Sequence, residues 1–140
     1  MRVVVDTNVL VAARLTENGV PGQVIKRWLV GQIEIVVSSL LLHELDDVLG
    51  RSKFRRWLSQ AEADAFIELL GDYAVFVDDP EPEPGLTRDP DDDYLVVLAR
   101  AAGAVVLVSG DKDLVDLRDA KPIVRTPRQL IEVLDRREAG

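Results

Sequence analysis

The chain has 140 residues, 47% of them apolar, and its 25 acids against 17 bases leave a formal charge of −8. That length suits a single domain with a sizeable core; no apolar run reaches a membrane span, and with no cysteine, disulfides and thiolate metal sites are excluded. The acid excess argues against a protein held on nucleic acid by bulk charge, although divalent cations reverse the local sign of any acidic site. Asp6 interrupts the N-terminal apolar stretch and no cationic run precedes it, so export is not expected and a cytoplasmic location is.

In chain order, VVV (3–5) is a strand, broken by Asp6, Thr7 and Asn8 before apolar residues resume at Val9. GQVIKRWLVG (22–31) is helical, with Val24, Ile25, Trp28 and Leu29 on one stripe and Gly31 as its stop. Val36 and Val37 centre a second strand within 33–38, and SSLLLHELDDVLG (38–50) starts at a serine cap and ends at Gly50. SQAEADAFIELLG (59–71) carries a Ser59–Glu62 capping box and ends at Gly71. YAVFV (73–77) is the third strand, and the proline- and acid-rich stretch 78–90 is a loop.

DDDYLVVLARAAG (91–103) begins with acids, favourable at a positive helix N-terminus, and ends at Gly103. AVVLV (104–108) is the fourth strand and PIV (122–124) a short fifth, with a turn between them. TPRQLIEVL (126–134) places Thr126 as cap and Pro127 at the first helical position. The strands are rich in Val and Ile with little alternation, as in a parallel sheet covered on both faces. Alternating strands and helices mean an α/β fold, a three-layer sandwich around a mostly parallel sheet of four to five strands.

The informative acids lie at strand ends or early in the following helices. Asp6 ends the first strand, Glu44 lies in the helix after the second, Asp92 opens the helix after the acidic loop, and Asp111 follows the fourth strand, with Asp113 two residues on. Ligands of open α/β sheets bind outside the carboxyl ends of the strands, where these acids can converge. Two carboxylates about 5 Å apart repel by roughly 3 kcal/mol at an effective dielectric near 20. Such a cluster needs protons or cations, and oxygen ligands without His or Cys select hard ions such as Mg²⁺ or Mn²⁺. One or two such ions suit in-line displacement at phosphorus.

VVVDTNVLVAA (3–13), LLHEL (41–45), RDPDDDYLVVLARAAGA (88–104) and LVSGDKDL (107–114) resemble, in order, the four motifs of PIN-domain ribonucleases. The chain is most similar to the branch of VapC-like toxins of bacterial toxin–antitoxin pairs, and TPRQLI (126–131) resembles that branch's final helix. The resemblance implies a PIN-like fold and Mg²⁺- or Mn²⁺-dependent RNA cleavage leaving 3′-hydroxyl and 5′-phosphate ends. It carries the four acids onto Asp6, Glu44, Asp92 and Asp111, and a further acid near a second metal onto Asp113. Asn8 and Ser109 match small polar positions that orient ligands. Asp92 is chosen by its spacing to Ala99 and Gly103, with Asp91 and Asp93 one register away. An antitoxin partner and a homodimer follow from the resemblance alone.

Blander readings exist for each residue. Asp6, Thr7 and Asn8 are all helix cappers; Glu44 resembles the exposed acids Asp46 and Asp47; the three aspartates form a charge run, and Asp111 and Asp113 a polar turn. His43 reads as a surface or packed histidine rather than a ligand, because on a helix it points about 100° from Glu44. RSKFRRWL (51–58) is either a phosphate contact or a solvated face, and Trp28 and Trp57 read as packing residues. Arg14 and Lys112 are the cations nearest the acids. Two rival functions remain: a haloacid-dehalogenase-type phosphatase, which needs an acid where Asn8 stands, and a non-catalytic PIN-like module that binds RNA or protein.

Overall fold

The computed structural model describes residues 1–87, 89–111 and 122–139. Its elements run β1 (Arg2–Val5), α1 (Thr7–Leu15), α2 (Val20–Leu29), β2 (Glu34–Val37), α3 (Ser39–Leu49), a 3₁₀ turn (Ser52–Phe54), α4 (Gln60–Tyr73), β3 (Val75–Phe76), α5 (Pro90–Ala101), β4 (Val106–Val108), β5 (Ile123–Arg125) and α6 (Pro127–Ala139). All five strands pair in parallel, in the order β3-β2-β1-β4-β5. Val3 lies opposite Ile35 on one side and Val106 on the other, so β1 is the centre of the sheet. Strand order reverses between β1 and β4, which opens a crevice at their carboxyl ends.

Helices cover both faces of the central strands. Leu10 of α1, Leu41, Leu45 and Leu49 of α3, Leu70 of α4, Leu98 of α5 and Leu130 of α6 are fully buried against the valines and isoleucines of β1, β2 and β4. On α3 these leucines recur every four residues, the stripe a helix needs to lie on a sheet. Caps formed as the sequence predicts at Ser38, Ser59 and Thr126, the Ser59–Glu62 pair making both bonds of a capping box. Gly31 and Gly103 follow helices at positive φ, 85° and 66°, which only glycine adopts without strain.

Several boundaries differ from expectation. α2 begins at Val20 rather than Gly22, with Pro21 tolerated in its first turn. Of its proposed stripe, Val24 and Trp28 are buried, while Leu29 lies 57% exposed. Gly71 does not stop α4, because it sits in open helical space with only Leu42 near, and the helix runs on to Tyr73. That shortens the third strand to two residues. The sheet's edges are not covered on both faces, since Phe76 and Ile123 are 52% and 54% exposed. Trp57 is also no packing residue: Leu58 takes the buried place beneath the turn, which leaves the indole outside. The turn expected between β4 and β5 lies outside the described residues.

Candidate active site

Asp6 stands where β1 becomes α1. Its N–H still bonds the Val108 carbonyl of β4 at 2.9 Å, which holds it on the sheet beside the crevice. One carboxyl oxygen accepts the Asn8 N–H at 3.1 Å and the other accepts the Ser109 hydroxyl at 2.9 Å. Capping therefore occupies one oxygen only. Ser109 in turn accepts the Asp111 N–H at 3.0 Å, so one buried hydroxyl ties the tip of β1 to the tip of β4. Burial pushes the Asp6 carboxyl up; the bonds from Asn8 and Ser109 oppose it, and the charge of Asp111 adds to it.

Asp92 closes the crevice from α5. Asp89 caps this helix by accepting the Asp91 N–H at 2.9 Å, and Pro90 occupies the first turn. Successive residues then step about 100° around the axis, and the three aspartates enter three surroundings. Asp91 is exposed and its charge acts on Glu44. Asp93 accepts N–H groups from Gly85 and Thr87 of the preceding loop. Asp92 is buried, and its carboxyl is pushed up to about 7 by burial, by the charge of Asp111, by a hydrogen bond with Asp111 and by the charges of Asp89 and Asp6. Two carboxyls share a hydrogen bond only with a proton between them, so the contact with Asp111 favours the protonated form of Asp92.

Glu44 approaches from α3. Its carboxylate accepts the Thr7 hydroxyl at 3.4 Å, and burial together with the charges of Asp91 and Asp6 raises it. Like its neighbours His43, Asp46 and Asp47, Glu44 is itself exposed. Arg14, expected near the acids, is paired instead with Glu17 at 2.8 Å and Glu62 at 3.1 Å, at the far end of α1. Lys112 and Asp113 lie outside the described residues.

Sequence reasoning missed a second network beside this crevice. The Tyr94 hydroxyl donates to Asp79 at 2.6 Å and lies within hydrogen-bond contact of Ser38 Oγ, while the other Asp79 oxygen accepts the Leu40 N–H at 3.1 Å. Tyr94 thereby pins the acidic loop to the start of α3. Burial and the Asp79 carboxylate push its phenol up. Nothing in the sequence separates Asp79 from the solvated acids around it.

A cleft of about 420 Å³ opens beside Asp6, Asn8 and Asp111, walled by Val9, Ala12 and Gly110. Of the four acids only Asp6 and Asp111 line it, while Glu44 faces a neighbouring hollow with Asp91 and Tyr94. Asp6, Glu44 and Asp92 are all raised, so these acids favour protons or cations over bare charge. That donor chemistry fits a hard dication. Among the described residues, however, no three His, Cys, Asp or Glu side chains stand close enough together to hold one metal ion.

A family profile described as PIN domain matches residues 2–113. The chain is 26% identical to an uncharacterized protein of Methanocaldococcus jannaschii, over 97% of this chain and 93% of the relative. Its fold is similar to that of VapBC2 from Rickettsia felis, solved bound to a DNA fragment from its promoter, with a TM-score of 0.64, 16% identity and coverage of 90% of this chain and 98% of that one. A solved protein from Pyrobaculum aerophilum gives a TM-score of 0.65 at 18% identity, covering 97% of this chain and 90% of its own.

Proposed function

Since the chain belongs to the PIN domain family, whose members are generally nucleases, we propose that it is a divalent-metal-dependent endoribonuclease, the toxin of a toxin–antitoxin pair. The observation that carries this reading is the set of raised carboxyls around the β1/β4 crevice, Asp6 and Asp92 with Asp111 between them. A structural acid is given donors enough to lower its carboxyl; Asp6 stays raised despite Asn8 and Ser109, and Asp92 has the charges of Asp111, Asp89 and Asp6 beside it. The phosphatase reading loses its footing, since the position two residues after Asp6 is Asn8, whose N–H serves the Asp6 carboxyl.

In this reading Asp6, Glu44, Asp92 and Asp111, with Asp113, hold one or two Mg²⁺ or Mn²⁺ ions. A bound ion supplies positive charge against the charge developing on the phosphodiester and makes water a better nucleophile. The chain's own residues do the positioning. Ser109 and the Asn8 N–H fix the two Asp6 oxygens, leaving little rotation to lose on ligation. Asp92 stands beside Asp111, where burial and that neighbour's charge raise its carboxyl, and a bound cation would relieve the repulsion. The Thr7 hydroxyl orients Glu44 from the α1 side. No residue acts as a covalent nucleophile. A small antitoxin and a homodimer are the partners this reading implies; the fold's likeness to VapBC2 supports the first.

The test is Asp6→Asn. Cleavage of single-stranded RNA in Mn²⁺ should fall on the order of 100-fold or more, with an unchanged circular dichroism spectrum. Full activity in that variant overturns the assignment. A wild-type protein whose melting temperature and RNA turnover both ignore Mn²⁺ is a binding module instead.

A further inference from the structure

We propose that the turn joining α3 to α4, residues 51–57, is a platform for single-stranded RNA, on which Arg51, Lys53 and Arg56 meet phosphates and Trp57 stacks on a base. The proposal rests on the ribonuclease reading above and names where its substrate is held outside the crevice. A protein of charge −8 repels a polyanion over most of its surface, so any purchase on RNA has to be local. This segment supplies it: no acid occurs from Val48 to Ala61, and four cations fall between Arg51 and Arg56.

The turn is a built surface. After Gly50, Arg51 N–H bonds the Val48 carbonyl, Phe54 bonds Arg51, Arg55 bonds Ser52, and both Trp57 and Leu58 bond Phe54, all between 2.9 and 3.2 Å. Buried Leu58 and half-buried Phe54 anchor it to the core. Arg55 turns inward, its guanidinium bonded to the Leu49 and Arg51 carbonyls at the negative end of α3. Arg51, Lys53 and Arg56 are exposed and, among the described residues, have no carboxylate partner, whereas Arg2, Arg14 and Arg27 are ion-paired. The cations that anchor structure are thus distinct from those left for a ligand.

Trp57 supplies the other half of the surface. It is 66% exposed, with the Arg56 guanidinium 5.6 Å from its ring centre. An exposed indole flanked by cations offers one face to a base while neighbouring groups reach the backbone, the combination that holds unpaired nucleotides. A duplex, whose bases are already stacked, has no face to give it. Arg51 follows two residues after the end of α3, the helix that carries Glu44, so one helix links the turn to the acids.

The experiment is a titration of a fluorescein-labelled single-stranded 12-mer RNA with the full chain in EDTA, where nothing is cleaved. The triple variant Arg51→Gln, Lys53→Gln, Arg56→Gln should bind at least about tenfold more weakly, with the slope of log K against log salt reduced by about 2. Trp57→Ala should weaken binding by about fivefold or more with the slope unchanged. Neither variant should alter melting temperature or Mn²⁺-dependent turnover of bis(p-nitrophenyl) phosphate, which has no nucleotide chain to reach the turn. Wild-type affinity in both variants overturns the platform, even if the wild-type protein cleaves RNA well; the patch then belongs to a protein partner. Platform-dependent binding by a wild-type protein that cleaves no RNA in Mn²⁺ keeps the platform and removes the ribonuclease.

Discussion

Asp92 and Asp93 are neighbours in the first turn of α5, each 7% exposed, yet their carboxyls are pushed in opposite directions. Asp93 faces the loop after β3, where the Thr87 hydroxyl and the N–H groups of Thr87 and Gly85 bring it below the usual carboxylate range. Asp92 faces the β1/β4 crevice, where burial and the charges of Asp111, Asp89 and Asp6 push it up to about 7. For Asp92 burial is the largest cause and the nearby carboxylates add to it, whereas for Asp93 the donors outweigh burial. On one side the helix feeds donors to a negative charge and so ties down a loop. On the other it crowds negative charges together without donors enough to settle them.

The sharpest way to break this contrast is to neutralise each acid in turn. Asp92→Asn should lower Mn²⁺-dependent RNA cleavage on the order of 100-fold, while the metal-free melting temperature stays level or rises, because a repulsive partner of Asp111 is gone. Asp93→Asn should do the reverse. Its amide accepts more weakly than a carboxylate and cannot satisfy the loop's donors as well. The melting temperature should fall by several degrees, and cleavage should stay within about threefold of wild type. Thermal melts and single-turnover cleavage of the two variants measure both. Loss of activity in Asp93→Asn with activity retained in Asp92→Asn would reassign the third acid.

Much of this was legible in the residues. Asp6 stands out because it directly ends a run of valines that belongs inside a sheet, and Asp111 because it follows such a run after Ser109 and Gly110; a parallel α/β order brings such ends to one edge. The caps at Ser38, Ser59 and Thr126 are local chemistry and were readable for that reason. Choosing among the three aspartates needs the helix's angular step, which spacing to Ala99 and Gly103 supplies only indirectly. Contacts with no period were out of reach. Asp79 meets Tyr94 across a loop fifteen residues away in sequence, and whether Trp57 or Leu58 is the buried member depends on how one turn closes. Gly71 misled for a related reason: unlike Gly31 and Gly103 it has no positive φ, and the helix runs through it.

A smaller effect sharpens the contrast through pH. Asp92, with a folded value near 7 against an ordinary 3.8, holds its proton more tightly in the folded chain than in the unfolded one, as do Asp6 and Glu44. Stability from these groups is therefore full below about pH 4 and is lost as pH rises toward 7. Asp93 and Asp79 are lowered, so their contribution is complete above about pH 4 and lost only in more acid solution. Between pH 5 and 7.5 the slope belongs to the crevice. With allowance for solvent screening the expected loss is about 1 kcal/mol, or about 4 °C in melting temperature. Differential scanning fluorimetry in EDTA should show it, Mn²⁺ should close the gap at pH 7.5, and Asp92→Asn should flatten it. A metal-free melting temperature that climbs across this range contradicts the assignment.

The smallest effect tests whether the loop side of the contrast is one unit. The loop is held at two places: by Asp79, which takes the Tyr94 hydroxyl and the Leu40 N–H, and by Asp93, which takes the N–H groups of Gly85 and Thr87. Tyr94→Phe removes a single hydroxyl and leaves Asp79 its bond to Leu40. That variant should cost about 1 kcal/mol, read as a shift in the urea midpoint at constant slope, with RNA cleavage unchanged. If the loop detaches as a whole once either anchor is lost, the double variant Tyr94→Phe, Asp93→Asn should be less destabilised than the sum of the singles. Strict additivity would mean that the two anchors hold separate segments. In that case Asp93 secures only residues 85–87, and the donors facing it serve the start of α5 rather than the loop across α3.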